Sequence, residues 1–311
     1  MNRSGNEKSS NLLVVCGPTA SGKTRLAVRL ALEVGGEIIS ADSRQVYRGM
    51  DLGTGKDLDE YHTPEGAVPC HLVDIVEPSC IYTVQEYQRD FYRAFEAIHA
   101  RGKLPVMAGG TGLYIEAVLR GYRIPDVAED AGLRRKLMRE TKENLIRRLR
   151  DLDPTAPAHT DLSSKKRIVR AVEVASAGTK RVPPGPRPEL RPLVLATRRD
   201  RRELRERIDR RLDERFDCGM VDEVRRIMHS SCPPGRFAMF GMEYRSIAEY
   251  LRGETDFEQM KTRLRHAIHR LAKRQETWFR GMERRGIRVH WIDNADEAQA
   301  RRLIQETRWE K

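Results

Sequence analysis

Short, wholly apolar runs separated by longer stretches of helical spacing set the pattern of the first third of the chain. Residues 12–16 (LLVVC) form one such run, bounded by Gly17 and Pro18, and residues 24–34 follow with apolar positions three and four apart. This reads as a buried parallel strand, a loop and a helix. Further short runs stand at 37–40, 70–76 and 104–108, with a helical stretch over 84–100 between the last two. The alternation predicts an α/β fold, a parallel sheet covered by helices. After Arg120 the texture changes. Gly121 and Pro125 break the pattern, residues 131–152 form an arginine-rich helical segment, and a second follows at 163–177. The stretch 181–192 holds five prolines and reads as a loop. A return strand is expected at 193–196, long helices at 201–216 and 257–282, and a last strand at 287–292. The implied division is a disordered tail over 1–11, a core from 12–120 and 191–311, and an inserted helical subdomain over 121–190.

Composition narrows the classes. Of 311 residues 39% are hydrophobic and 33% charged, and no apolar run approaches the ~20 residues of a membrane span, so no membrane protein is expected. The first eleven residues carry no apolar segment behind their charges, so no secretory signal is visible and the cytoplasm is the expected compartment. The five cysteines are scattered and never in a Cys-x-x-Cys pair, which argues against a disulfide framework and a zinc site. Lysine and arginine exceed aspartate and glutamate by 58 to 46, a net charge of +12. Such an excess concentrates polyanions around the protein and puts nucleic acid first among partners, with a solubility surface as the alternative.

The sharpest motif is Gly17-Pro18-Thr19-Ala20-Ser21-Gly22-Lys23-Thr24, a G-x-x-x-x-G-K-T between a predicted strand and a predicted helix. In that context the glycine-rich turn lets backbone amides point at phosphate oxygens, the helix start adds its dipole, Lys23 neutralises a terminal phosphate and the Thr24 hydroxyl ligates magnesium. The loop alone leaves open whether the phosphates belong to a nucleotide or to another diphosphate. A nucleotide-hydrolysing enzyme needs an acid at the end of a second core strand. The 104–108 strand instead runs into Gly109 and Gly110, and Asp74 is the one candidate substitute, equally readable as a loop cap. Asp42 stands just beyond the 37–40 strand, on the edge where open parallel sheets bind ligands, and reads either as a general base or as turn chemistry.

Together these segments resemble the tRNA dimethylallyltransferases, or tRNA isopentenyltransferases. The matching pieces are GPTASGKT at 17–24, ADSRQVYRGMDLGTGK at 41–56, GGTGLY at 109–114, KRIVRAVEV at 166–174, RERIDRR at 205–211 and LAKRQETWFR at 271–280. They keep family order over nearly the whole chain. The resemblance implies a P-loop NTPase-like core that holds dimethylallyl diphosphate, with Asp42 as the base on the exocyclic amine of the adenosine 3′ of the anticodon. It further implies that Thr111 lies in the reaction channel and that Arg211 joins Lys23 on the diphosphate. Asp42, Ser43, Arg44, Gln45, Thr111, Arg134 and Arg167 match positions that contact tRNA, so the partners implied are the tRNA anticodon stem-loop, the prenyl diphosphate and Mg2+; a monomer is expected, though the sequence does not give the oligomeric state. Two segments depart from the family pattern: Phe240-Gly241-Met242-Glu243-Tyr244 stands where Ile-Gly-Tyr-Lys-Glu is usual, and Ser163-Ser164 replaces Asn-Asp.

The last long helix supplies a second basic feature. Leu264, Ala267, Ile268, Leu271, Ala272, Trp278 and Phe279 repeat at helical spacing as an inward stripe. Lys261, Arg263, Arg265, Arg270, Lys273 and Arg274 occur with no acid among them before Glu276, which makes Arg270 and Arg274 candidates for RNA phosphates. Two other classes fit part of the pattern: a P-loop kinase or ATPase acting on RNA, and a tRNA-binding protein without catalysis.

Overall fold

The computed structural model describes residues 9–125, 127–178, 187–230 and 232–310. β1 (Leu12–Cys16) is buried along its whole length and runs through the loop at 17–22 into α1 (Lys23–Val34), whose Leu26, Leu30 and neighbours face the core. After β2 (Glu37–Ser40) come a single 3-10 turn at Leu58–Tyr61, a small hairpin of β3 (His62–Thr63) and β4 (Gly66–Ala67), and the two-residue β5 (Cys70–His71). α2 (Val84–Ala100) opens on a capping box: Thr83 accepts from the Glu86 amide and the Glu86 carboxylate returns to the Thr83 N–H. β6 (Pro105–Gly109) and α3 (Gly112–Arg120) follow.

The chain divides into two compact units, one made of the described residues up to Tyr122 and from Pro188 on, the other of those within Arg123–Arg187. The smaller unit is helical: α4 (Ala131–Leu137), α5 (Lys142–Leu152), the single turn α6 (Ala156–His159) and α7 (Lys165–Ser176). Its own core is Leu137, Leu145, Leu149, Ile168, Val169 and Val172. The larger unit resumes with β7 (Pro192–Arg198), α8 (Arg201–Asp217), α9 (Met220–Met228), a 3-10 turn at Pro234–Ala238, α10 (Met242–Leu251), α11 (Phe257–Arg284), β8 (His290–Asp293) and α12 (Glu297–Glu306).

Six strands form one parallel sheet in the order β5-β2-β6-β1-β7-β8. Both faces are covered. One packs β1, β6 and β7 against Phe91, Ile115 and Phe279, the other against Leu26, Leu30 and Ile304. The register aligns Cys16 with Gly109 and with Ala196, and Ser40 with Ala108. The loops that leave β1, β2, β6 and β7 therefore gather at one sheet edge, the edge where doubly wound sheets bind ligands. A third core, around Phe240, Tyr244, Ile247 and Leu264, ties α8 through α11 together.

Three sequence expectations change. The strand expected over 70–76 stops at His71, because Leu72 and Asp74 adopt left-handed backbone (φ 62° and 54°), and Val76 returns only for one bridge to Tyr47. The helix expected over 131–152 is two, since Thr141 caps a new start by accepting from the Asn144 amide. Ser10 and Asn11, expected in the tail, belong to the fold: Ser10 bridges to Trp309, and the Asn11 amide donates to Glu189 O at 2.8 Å. The rest of the expected tail, residues 1–8, and half of the proline-rich stretch, residues 181–186, lie outside the described residues. Among the described residues no helix is long and apolar enough to cross a membrane.

Candidate active site

The glycine-rich loop is shaped by close contacts that leave no room for side chains. A Cβ on Gly17 would lie 2.1 Å from Thr197 Oγ1, the buried hydroxyl through which β7 meets the loop. That hydroxyl shares a hydrogen bond of 2.6 Å with Ser21 Oγ, which also donates to Pro18 O at 2.7 Å. Ala20 is held left-handed at φ 60°, a conformation that disfavours any residue with a Cβ. Two arginines from the β7–α8 segment fix it there: Arg207 Nε donates to Ala20 O at 2.9 Å and Arg199 Nε to Ser21 O at 3.1 Å. Gly22 caps α1 with no side-chain bond to its first turn, so the amides of that turn remain for a ligand.

Lys23 and Thr24 open onto a cleft of ≈ 420 Å³ whose other walls include Asp57, Glu60, Arg207, Arg210, Arg211 and Arg215. Lys23 Nζ donates to Pro18 O at 3.3 Å. Burial, and then repulsion by Arg211, push its ammonium down to about 8. Burial and Arg211 likewise lower the Arg215 guanidinium, to about 10. Burial and the charge of Asp57 push the Glu60 carboxyl up. These are the marks of crowded like charges in a partly dehydrated place, which a polyanion would relieve. Arg211 has partners within the protein. It is paired with the Asp57 carboxylate, which also lies 3.9 Å from Arg215, and it donates to Gly55 O at 3.3 Å.

Because β2 and β6 are neighbours, Thr111 bonds to the residues on either side of Asp42. Thr111 N–H donates to Ala41 O at 3.1 Å, and Thr111 Oγ1 accepts from the Ser43 amide at 3.0 Å. Asp42 Oδ1 accepts from the Arg44 amide at 2.9 Å, so one oxygen makes the turn while Oδ2 has no hydrogen-bond partner among the described residues. Gln45 spans Ser40 Oγ and Gly55 O. The Arg44 guanidinium reaches Met239 O, and the departing segment 240–244 thus lies beside the site. Within it Phe240 and Tyr244 are core residues, and burial pushes the Glu243 carboxyl up against the opposing pull of Arg215 and Arg44. Asp74, the candidate acid for a nucleotide-hydrolysing site, is bound by the buried Lys56 ammonium at 2.5 Å.

The remaining candidates lie on other elements. In the smaller unit Arg134 is clamped by Glu173 at 2.8 Å and Glu129 at 2.7 Å, and the exposed Arg167 pairs with Asp161 at 2.6 Å. Along α11 the basic row splits. Lys261 and Arg265 pair with Asp213 on α8 at 2.9 and 3.4 Å, whereas Arg270 and Arg274 are exposed and have no ion pair among the described residues. Trp278 packs on the Gly112 backbone, where a Cβ would come within 2.4 Å of its ring, and Phe279 is fully buried. Sequence reasoning gave no role to Arg199, Arg207, Asp57 or Gln275. Arg207 and Gln275 lie inside the matching segments 205–211 and 271–280, but the partners of all four are set by the fold.

The IPP transferase family profile matches residues 45–282. tRNA dimethylallyltransferase 1 of Geotalea uraniireducens (strain Rf4) is 51% identical over 285 residues, covering 92% of this chain and 93% of the relative. tRNA dimethylallyltransferase 2 of Trichlorobacter lovleyi is 50% identical over 299 residues, 95% and 97% of the two chains. The crystal structure of the full-length tRNA isopentenylpyrophosphate transferase from Bacillus halodurans is similar at a TM-score of 0.66 and 32% identity, covering 96% of this chain and 94% of that one. A eukaryotic dimethylallyltransferase acting on tRNA shares the fold at a TM-score of 0.76 and 22% identity, over 96% and 78%. With the profile matched over most of its length and relatives half identical end to end, the chain belongs to the tRNA dimethylallyltransferase (IPP transferase) family.

Proposed function

We propose that the chain transfers the dimethylallyl group of dimethylallyl diphosphate to the exocyclic amine of adenosine 37, 3′ of the tRNA anticodon, giving N6-isopentenyladenosine and diphosphate. The observation that carries this reading is the junction of an arginine-walled phosphate loop with the Asp42–Thr111 pair at one sheet edge, in a chain of this family.

In the transfer the C1–O bond of the donor breaks, an N–C bond forms, and the amine loses a proton. Charge builds on the leaving diphosphate, so donors fixed around it stabilise the transition state more than the bound substrate. Lys23, the amides of the first turn of α1 and Arg211 have this role, Arg211 exchanging Asp57 for phosphate oxygens. Asp42 Oδ2 takes the amine proton while Oδ1 stays on the Arg44 amide, which keeps the carboxylate aimed. Thr111, whose hydroxyl accepts from the Ser43 amide next to Asp42, orients the acceptor. Thr24, on the cleft wall beside Lys23, would hold a magnesium ion through its hydroxyl. When bound, magnesium neutralises charge on the leaving group. The base reaches the site by leaving its stack, which an anticodon loop permits at low cost because its bases are not all paired. Ser43, Arg44, Gln45, Arg134, Arg167, Arg270 and Arg274 are the proposed tRNA contacts, and the protein acts as a cytoplasmic monomer.

The test is nucleoside analysis of unmodified tRNA incubated with the protein and magnesium, with either dimethylallyl diphosphate or ATP. Isopentenyladenosine is expected with the prenyl donor alone. Phosphorylated RNA with ATP would move the chain to the kinase class, and tRNA binding without product would leave it a binder.

A further inference from the structure

We propose that Gln275 is a positioning residue that sets the spacing between the loop holding the prenyl donor and the loop holding the acceptor adenosine; this rests on the function proposed above. The Gln275 side chain joins two loops that leave different strands. Its Oε1 accepts from the Thr19 amide at 2.9 Å, and its Nε2 donates to Gly110 O at 2.9 Å. The polarity is matched at both ends, since the Thr19 amide can only donate and the Gly110 carbonyl can only accept. Thr19 belongs to the phosphate loop, four residues before Lys23. Gly110 immediately precedes Thr111, whose hydroxyl receives the Ser43 amide beside Asp42.

The approach of these groups is close. A Cβ on Gly110 would stand 2.6 Å from Gln275 Nε2, too close to fit, and 3.5 Å from Lys23 Cε, so the amide lies hard against the loop with the lysine stem nearby. The backbone under Gln275 is anchored, because Ala272 and Phe279 on the same helix are buried in two different cores. β1 and β6 are hydrogen-bonded as far as Cys16 and Gly109, and past those residues the sheet no longer sets the gap between the two loops. Gln275 spans that gap.

The chemistry makes the gap matter. The donor carbon and the amine nitrogen must come within about 3–3.5 Å in line, and a misplacement of about 1 Å can cost 10²-fold in rate. Gln275 touches neither atom; it acts through the loops that hold them.

Gln275→Met keeps the length of the side chain and removes both hydrogen bonds, and Gln275→Glu keeps the acceptor for Thr19 while losing the donor for Gly110. The readouts are the single-turnover rate at saturating dimethylallyl diphosphate and tRNA, the separate Kd values for inorganic pyrophosphate with magnesium and for tRNA, and the melting temperature. For Gln275→Met the expected result is a rate lowered about 10²-fold, with both Kd values and the melting temperature close to wild type. A rate equal to wild type overturns the proposal, as does a rate loss matched by weaker pyrophosphate binding or a lower melting temperature, which marks plain support of the phosphate loop. Should Gln275→Met fail to fold, Gln275→Glu decides by the same readouts. A wild-type chain that yields no prenylated tRNA overturns the functional reading and this proposal with it; a wild-type chain that does, beside an unimpaired Gln275→Met, overturns the assignment of Gln275 alone.

Discussion

Burial and Arg211 hold the Lys23 ammonium down to about 8, while Asp42, Glu60 and Asp57 pull it upward. A bound diphosphate adds negative charge and raises it, so above pH 8 the free protein must take up a proton to bind. Measured against Lys23→Met, which cancels the titration of pyrophosphate itself, wild-type affinity is therefore expected to be level below about pH 8 and to fall by up to about tenfold per unit above it. Calorimetry in two buffers of different ionisation enthalpy reads the proton uptake, and Lys23→Met should remove the part that exceeds the ionisation of pyrophosphate itself. A flat profile in the wild type would mean that Lys23 does not face the phosphates. Asp42 invites a different substitution. Asp42→Asn preserves the acceptor for the Arg44 amide and removes the proton sink, so turnover should fall about 10²- to 10⁴-fold with tRNA affinity little changed. Loss of tRNA affinity with turnover retained would make Asp42 a binding residue.

At the scale of elements, the segment after β2 shows how the cleft is braced. Lys56 is buried, with its ammonium on Tyr47 O, Asp51 and Asp74 at 2.9, 2.7 and 2.5 Å. Nearby, Glu223 accepts the amides of Asp51, Leu52 and Gly53 and the Tyr244 hydroxyl. These bonds deliver Asp57 to Arg211. Lys56→Met is expected to lower stability by about 1–3 kcal/mol in denaturant unfolding and to raise the donor KM, the loss moderated because the two carboxylates left behind reach solvent. An unchanged midpoint and KM would detach the segment from the site. Much of this level was readable in advance. Residues 12–16 announced β1 because a five-residue apolar run between polar flanks can only be buried on both faces, and the glycine-rich octet fixed the loop and the start of α1. The short β5 was not, since CHLVDIV is apolar enough for a strand and nothing local marks Leu72 as left-handed. Nor were Arg199, Arg207 and Gln275, whose partners are backbone atoms 178, 187 and 256 residues away, made neighbours by strand pairing and helix packing.

For the whole molecule the question is where a charge of +12 is available. Many arginines are already engaged in ion pairs, as Arg134, Arg198 and Arg285 are with Glu173, Asp293 and Glu116. Arg270 and Arg274 are exposed and unpaired among the described residues, on a helix whose opposite side is core. Binding of tRNA should weaken steeply with salt, and Arg270→Glu with Arg274→Glu should make the slope shallower by about 0.7–0.9 for each phosphate that is no longer neutralised. A slope untouched by both changes would place the RNA elsewhere.

The position of β1 in the sheet also governs how the chain is made. One of its two neighbours, β6, is synthesised about ninety residues later and the other, β7, only at residues 192–198, after the whole smaller unit. At ribosomal rates of about 5–20 residues per second, β1 waits about 10–40 s for that second partner, with one edge of a fully apolar strand unpaired. Closing such a distant pairing is slow in itself. The helical unit between them, with its own core, can fold during the interval and shorten the loop that β7 must close. The chain is thus exposed to aggregation during its own synthesis, and a truncation before residue 192 would leave that edge open for good.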